Sequence, residues 1–219
     1  MPVLAIAVLL FAFGLIARTA AAGRPTAFDT RIMLALRRSA ESPVPIGPAW
    51  LQEAARDLTS LGSVIVLMTI TIAVAGFLFL DRKPGVAWLT LIAVVGGGLG
   101  LNNLLKIAFA RPRPDVITST ARVFTTSFPS GHATLSAITY LTIGALLART
   151  YPSFALSLYF MSLATVLTAL VGMSRIYLGV HHPTDVLAGW CIGAAWAIGC
   201  WAVMAWFQTG GHVEPTSSP

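Results

Sequence analysis

Six long apolar segments fill most of this 219-residue chain and leave few ways for it to fold. Hydrophobic residues make up 56% of the sequence and charged residues only 10%, whereas about a quarter of the residues in soluble globular proteins are charged. Each segment is close to the ~20 residues that a helix needs to cross the hydrocarbon core of a bilayer. The sequence therefore predicts an all-α, six-transmembrane helical bundle with spans near 2–22, 60–80, 86–105, 131–149, 153–173 and 184–207.

Short links join most of these spans, so we expect a single integral-membrane domain over residues 1–219 that ends in a polar tail at 208–219. The first segment ends in "TAAAG", which resembles the cleavage site of a secretory signal peptide. Its apolar run is long for a signal peptide, however, and no lysine or arginine precedes it. We therefore interpret this segment as an uncleaved first span.

The longest link, between the first two spans, contains an amphipathic stretch. Phe28, Ile32 and Leu36 recur at helical spacing, and Arg31 and Arg38 lie off that stripe. This pattern predicts an additional interfacial helix between spans 1 and 2, with its apolar face in lipid and its arginines among headgroups. A short helix that caps the bundle would show the same pattern, and the sequence does not separate the two interpretations.

Counting membrane crossings places the unusual polar residues on one face of the bilayer. The links at 23–59, 106–130 and 174–183 share that face, whereas both termini and the turns at 81–85 and 149–153 lie on the other. Three segments of that face, after span three, entering span four and between spans five and six, carry the residues of interest: Lys106, Arg111, Arg113, Arg122, Arg175, His132, His181 and Asp185. We expect the fold to bring these side chains together.

Such a cluster of cations predicts a bound anion. A charged side chain at bilayer depth costs roughly 2.5–3.5 kcal/mol, so several of them require a negative partner. Guanidinium groups match phosphate oxygens in pairs, which makes phosphate the best candidate. A formal net charge of +6 would indicate nucleic acid for a soluble protein, but here the basic residues lie between spans. The predicted partners are the bilayer and a phosphorylated membrane lipid, with no nucleic acid.

The stretch "FPSGH" marks the start of the fourth span as an anion site. Ser130 suits the N-cap position, and the backbone N–H groups of Gly131 and His132 have no partner within the helix. A helix N-terminus of this kind favours an anion, and Gly131 lets the backbone approach it closely. His132 lies in the first turn, where its ring can contact the same anion.

The stretch "HHPTD" marks the start of the last span in a similar way. Pro183 suits the first helical position, which puts Asp185 in the first turn and His181 just before the helix. A carboxylate there can bind one ring nitrogen of His181 and leave the other free as a nucleophile. With His132 at the same phosphate, one histidine would attack phosphorus and the other would protonate the leaving oxygen. We predict that His182 points elsewhere and takes no part.

Three motifs run through these segments in order. The first is a lysine, six residues and then Arg-Pro, which is met by Lys106, Arg113 and Pro114. The second is Pro-Ser-Gly-His, which is met by residues 129–132. The third is Ser-Arg, five residues, His, three residues and Asp, which is met by Ser174, Arg175, His181 and Asp185. In these motifs the chain resembles the type 2 phosphatidic acid phosphatase superfamily, whose membrane members remove phosphate from lipids.

The resemblance implies a phosphohistidine mechanism that uses no metal or other cofactor. His181 would attack the lipid phosphate, Asp185 would orient His181, and His132 would protonate the leaving group. The residues implied to hold the phosphoryl oxygens are Lys106, Arg113, Ser130, Gly131 and Arg175.

Five further residues receive a structural or weaker interpretation. Pro114, Pro129 and Ser174 belong to the motifs and are expected to support them structurally. The doubled "RPRP" leaves Arg111 outside the family spacing, so it is the weaker site candidate. Contact with lipid headgroups explains Arg111 and Arg122 equally well.

The resemblance also implies a lipid phosphatase of a bacterial inner or plasma membrane, with both termini in the cytoplasm and its site facing the periplasm or the outside. Undecaprenyl diphosphate is favoured as the substrate on family grounds, and phosphatidylglycerol phosphate, phosphatidic acid and lipid A phosphates are the alternatives. Two other functions stay open at this stage. One is a lipid-to-lipid phosphotransferase of the same fold, and the other is a lipid or anion transporter that uses the same cations to bind its substrate.

Overall fold

The computed structural model describes residues 2–39, 42, 44–81, 85–109, 111–113 and 126–209. Their regular secondary structure consists of helices, which confirms the predicted all-α class. The described residues form α1 (Pro2–Ala20), α2 (Ala27–Ala35), α3 (Ala49–Ser60), α4 (Val64–Leu80), α5 (Gly85–Phe109), α6 (Gly131–Thr150), α7 (Phe154–Tyr177) and α8 (Pro183–Thr209).

Membrane crossing is consistent with the lengths and composition of these helices. In the described part of the chain, α1, α5, α6, α7 and α8 are each long and apolar enough to span a bilayer. The helices α3 and α4 together form a sixth candidate, which is bent by 53° at a short break. Ser63 ends this break by capping α4, since its hydroxyl accepts a hydrogen bond from the N–H of Val66 at 3.3 Å.

The helix α6 is the centre of the bundle and packs against both α7 and α8. Small residues allow α6 and α8 to approach closely. A Cβ atom on Gly189 would lie 3.0 Å from the carbonyl oxygen of Ser130, and one on Gly193 would lie 2.6 Å from the carbonyl oxygen of Thr134. In a membrane, helices associate through close contacts of this kind. Burying apolar side chains contributes little there, because lipid tails already surround those side chains.

The helix α2 exists where the sequence predicts a helix, but its inward face is different from the predicted apolar stripe. Asp29 and Met33 are buried, and Arg37 follows one turn later as a buried residue, whereas Phe28 is 50% exposed. Asp29 also closes a capping box with Thr26 at the start of the helix. Polar contacts therefore hold α2 against the end of the bundle, while Phe28 of the apolar stripe stays exposed, which fits both the interfacial and the cap interpretation.

The close contact between α6 and α8 generates a stability prediction. We expect Gly193→Ala to lower the thermal unfolding midpoint in detergent, because its Cβ would lie 2.6 Å from the Thr134 carbonyl oxygen and 2.7 Å from the Ala137 Cβ. Overpacking of this kind costs about 1–3 kcal/mol. Gly199→Ala on the same helix is the control, since no atom lies within 4 Å of the added methyl group. Equal midpoints for the two variants would contradict this account of the packing.

Candidate active site

The three motif segments converge at one end of the bundle. The N–H of Ser130, at the start of α6, donates to the carbonyl oxygen of Asp185 in the first turn of α8, at 3.0 Å. Arg113, which follows α5, donates from Nη1 to the carbonyl oxygen of Val180 at 2.9 Å. These bonds join segments that are far apart in the sequence, so the fold assembles the predicted residues into one site.

The start of α6 has the features expected of an anion site. Ser130 occupies the N-cap position, but its hydroxyl makes no capping bond, and Oγ is buried without a partner among the described residues. A Cβ on Gly131 would lie 3.3 Å from Cε of Lys106. Glycine therefore allows the lysine stem to pass close to the helix start, and the Ser130 hydroxyl is available to a ligand.

A buried amide lies beside this helix start and was not predicted from the sequence. Asn102 lies one turn before Lys106 on α5, and both of its amide atoms would be 3.5 Å from a Cβ on Gly131. Its Oδ1 is buried and has no hydrogen-bond partner among the described residues. Its position four residues before the motif lysine, on the same helix face, is the signal that sequence reasoning could have used.

Three predicted cations line the site. Lys106 donates from Nζ to the carbonyl oxygen of Thr126 at 3.1 Å, and Arg175 donates from Nη1 to the hydroxyl of Thr59 at 2.9 Å. Neither Lys106 nor Arg175 forms an ion pair with a carboxylate of the described residues. Burial lowers the pKa of Arg113, which the negative charge of Asp185 partly offsets. The positive charge at this end of the bundle therefore favours a phosphate group.

His181 is buried in the middle of this group. Its Nε2 lies 3.3 Å from Nη1 of Arg113, and its Nδ1 lies 3.6 Å from Oδ2 of Asp185. Burial lowers the pKa of His181 to about 3; Arg113 and Arg175 add to this effect, and the contact with Asp185 opposes it. The ring is therefore neutral near pH 7. The Nδ1 separation is longer than a hydrogen bond, and catalytic hydrogen bonds often tighten only when substrate binds.

The carboxylate of Asp185 accepts three hydrogen bonds from the protein. Oδ1 accepts from Nη1 of Arg111 at 2.6 Å. Oδ2 accepts from the hydroxyl of Ser127 and from the backbone N–H of His182, the latter at 3.0 Å. Ser127 was not predicted from the sequence. Because each of these donors comes from a different segment, the carboxylate has little freedom to move.

The prediction that His182 points elsewhere is wrong. Its Nδ1 lies 3.3 Å from Oδ2 of Asp185, and the side chain is buried. The helix start explains this placement. Since α8 begins at Pro183, Asp185 is the third helical residue, and a carboxylate there folds back to the N–H of the N-cap residue, which is His182.

The explanation of Arg111 by headgroup contact is also wrong. The side chain is 1% exposed and lies inside the protein. Besides its bond to Asp185, Nη1 of Arg111 donates to the hydroxyl of Thr184 at 3.0 Å. Nη2 donates to the carbonyl oxygen of Arg24 at 3.0 Å and to Oδ2 of Asp29 at 3.2 Å. The spacing of the family motifs does not identify Arg111, because this residue lies outside the motif positions and contacts the site only through Asp185.

Asp29 is the site residue furthest from any motif. Its carboxylate is fully buried on α2 and accepts from the N–H and the hydroxyl of Thr184, both at 2.9 Å. Burial alone would raise its pKa, but hydrogen bonds from Thr26 and Thr184 and the bond from Arg111 outweigh burial and lower it. The "TAFD" capping box is visible in the sequence, but the contacts with α8 are not.

The remaining predicted residues support the site or lie outside the described residues. His132 is in the first turn of α6, where a Cβ on Gly62, in the break between α3 and α4, would lie 3.2 Å from it. The hydroxyl of Ser174 is bound to the carbonyl oxygen of Val171 at 2.7 Å, and Pro129 follows a cis peptide bond. The predicted residues outside the described part of the chain are Pro114, Arg122 and the polar tail from residue 210.

Known proteins resemble this chain over most of its length. Phosphatidylglycerophosphatase B of Bacillus subtilis (strain 168) is 34% identical over 156 residues, which cover 70% of this chain and 75% of that protein. A lipid A 1-phosphatase of Rhizobium etli is 33% identical over 181 residues, which cover 68% of this chain and 71% of that protein.

A solved structure shares the whole arrangement of helices. It is the crystal structure of a transmembrane PAP2 type phosphatidylglycerolphosphate phosphatase from Bacillus subtilis, with a TM-score of 0.80 and 28% sequence identity. The superposition covers 97% of this chain and 98% of that chain. Residues 86–209, which include all three motifs, match the profile of the PAP2 superfamily. The chain is therefore an integral membrane protein that belongs to the PAP2 superfamily.

Proposed function

We propose that this protein is a membrane lipid phosphatase that hydrolyses the terminal phosphate of a lipid through a phosphohistidine on His181. The observation that carries the proposal is the 3.3 Å approach of Nε2 of His181 to Nη1 of Arg113. A phosphate held by this guanidinium would lie against a neutral ring nitrogen that can attack it. The PAP2 relatives support the reaction class, since two of them are named as lipid phosphatases.

In the proposed reaction, Nε2 of His181 attacks phosphorus, a P–N bond forms, and the P–O bond to the lipid breaks. The leaving oxygen takes a proton from His132. Water then attacks the phosphohistidine while His132 accepts a proton from it, so that inorganic phosphate leaves and both histidines return to their starting forms. Asp185 binds the Nδ1–H of His181 and stabilises the positive charge that develops on the ring.

The negative charge of the phosphoryl group would be balanced by protein groups alone. Lys106, Arg113 and Arg175 supply positive charge, and Ser130 and the N–H groups of the α6 start supply hydrogen bonds. Metal independence is therefore part of the proposal. We also place both termini in the cytoplasm and the site on the periplasmic side, within one domain of six spans.

For the substrate, we propose a terminal phosphate monoester of the phosphatidylglycerol phosphate type. The support is that the relatives named for this activity match the chain over most of its length, both in sequence and in structure. Undecaprenyl diphosphate, which the family resemblance alone favours, is the main competing substrate in the assay below.

A release assay tests the function and its substrate. We expect purified protein in detergent to release inorganic phosphate from phosphatidylglycerol phosphate at least tenfold faster than from undecaprenyl diphosphate, phosphatidic acid or a lipid A phosphate, with EDTA present throughout. Activity that disappears in EDTA and returns with magnesium would contradict the metal-free mechanism. Transfer of phosphate to a second lipid, with no inorganic product, would instead indicate a phosphotransferase, and binding without either product would indicate a transporter.

Substitution of the proposed nucleophile tests the mechanism. We expect His181→Ala to reduce turnover by more than 1,000-fold and to abolish phosphoenzyme trapped by acid quenching, since no other group replaces the attacking nitrogen. His182→Ala is the control, because its backbone N–H to Asp185 survives the change. It should lose no more than about tenfold, the effect of one hydrogen bond, and should still form phosphoenzyme. A phosphoenzyme in the His181 variant would contradict the assignment.

Burial of a neutral His181 predicts a dependence of stability on pH. Its pKa is lowered to about 3 by burial, whereas a histidine in an unfolded chain titrates near ~6.5. Below that value the unfolded chain gains a proton that the folded protein does not, so the free energy of unfolding falls as the pH falls.

Between pH 6.5 and pH 5 we expect wild type to lose about 2 kcal/mol more stability than His181→Gln, which has no titrating ring. Unfolding measured in detergent at both pH values would check this difference. Parallel behaviour of the two proteins would show that His181 is not held neutral by burial.

A further inference from the structure

A chain of alternating charges extends from the proposed catalytic aspartate to a helix that carries no family motif. Asp185 is bound by Arg111 at 2.6 Å, and Arg111 is bound by Asp29 at 3.2 Å. The side chains of all three residues are 0% exposed. Three charged groups are thus enclosed together beside His181, and the proposed reaction uses only one of them, Asp185.

Hydrogen bonds on both sides hold this chain in one geometry. Thr184 bridges Arg111 and Asp29, since its hydroxyl accepts from Arg111 at 3.0 Å and donates to Asp29 at 2.9 Å. The carbonyl oxygen of Arg24, just before α2, accepts from Nη2 of Arg111 at 3.0 Å. The Arg111 guanidinium therefore has a fixed position, from which one nitrogen reaches Asp185 and the other reaches Asp29.

The charges in this chain sum to one negative charge, because two carboxylates flank one guanidinium. Without Asp29, the guanidinium of Arg111 would cancel the charge of Asp185. Such cancellation would matter in a buried site, where charges interact more strongly than they do in water. His181 already lies near Arg113 and Arg175, both of which oppose positive charge on its ring. A negative charge on the side of Asp185 is needed to offset them when the ring attacks phosphorus.

We propose that Asp29 is a positioning residue of the phosphatase. It holds Arg111 in place and balances its charge, so that Asp185 presents a net negative charge to His181 as the P–N bond forms. This inference rests on the proposed function, in which His181 is the nucleophile. It also gives α2 a role in the reaction, since this helix carries the carboxylate that completes the chain.

Two pairs of variants separate the charge of residue 29 from its packing. Asp29→Asn keeps the shape of the wild-type side chain but removes its charge and replaces one accepting oxygen with an NH2 group. Asp29→Glu and Asp29→Gln are both one methylene longer and differ from each other in the same two properties. A role in packing alone would make the isosteric Asn variant more active than the longer Glu variant. A charge role predicts that the charged member of each pair has the higher kcat.

We expect Asp29→Asn to lower kcat by 10-fold to 100-fold and to change KM by less than threefold, because Lys106, Arg113 and Arg175 still bind the phosphate. Asp29→Gln should have at least a tenfold lower kcat than Asp29→Glu. Asp57→Asn is the matched control, since Asp57 is exposed on α3 and its substitution removes the same charge. That variant should keep the wild-type kcat.

The measurements are steady-state kinetics and the rate of phosphoenzyme formation, on variants that elute from size exclusion as wild type does. If one neutral variant does not fold, the other pair still decides between charge and packing. Equal kcat within a pair, with wild type active and His181→Ala inactive, would overturn the role of Asp29 and leave the proposed function intact. An inactive wild type, or an active His181→Ala, would overturn the proposed function and this inference together.

Discussion

The carboxylate of Asp185 is the interaction on which the rest of the site depends. This carboxylate accepts hydrogen bonds from Arg111, Ser127 and the backbone N–H of His182. The backbone carbonyl oxygen of Asp185 also accepts a hydrogen bond, from the N–H of Ser130. These donors come from the segment after α5, the segment before α6 and the start of α8. A buried carboxylate is costly unless its hydrogen bonds are satisfied, so the three segments are held in one arrangement by the need to satisfy it.

The membrane setting explains how such a polar centre can exist at the end of an apolar bundle. Within the bundle, the helices associate through small residues, as at Gly193, where α8 touches the backbone of α6. Among the described residues, the buried charged groups lie at the end where the motif segments meet, and the buried anions there are paired with donors. The cations Lys106 and Arg175 lack a carboxylate partner among the described residues, and together with Arg113 they are proposed to hold the phosphate.

Sequence reasoning succeeded where a local pattern is sufficient. Helical length and apolarity predicted the all-α bundle, and the start of α6 at Gly131 and of α8 at Pro183 agree with the capping arguments. The prediction for His182 is wrong, because the carboxylate of Asp185 folds back onto the N-cap residue of α8, and spacing along the chain does not reveal that contact. Sequence reasoning also failed for Arg111, because motif spacing identifies residues that recur in a family and carries no information about contacts made behind the site.

The sequence by itself determined that this chain enters a membrane as helices and carries the PAP2 motif residues, because both properties follow from composition and from spacing along the chain. Only the tertiary structure decided what surrounds those residues. Asp29 is separated from Arg111 by 82 positions and from Thr184 by 155, and such pairs meet only when the helices pack. The physical reason is that a buried charge is stabilised by an opposite charge that lies close to it in space, where water is excluded. Residues that meet in this way have no fixed spacing along the sequence.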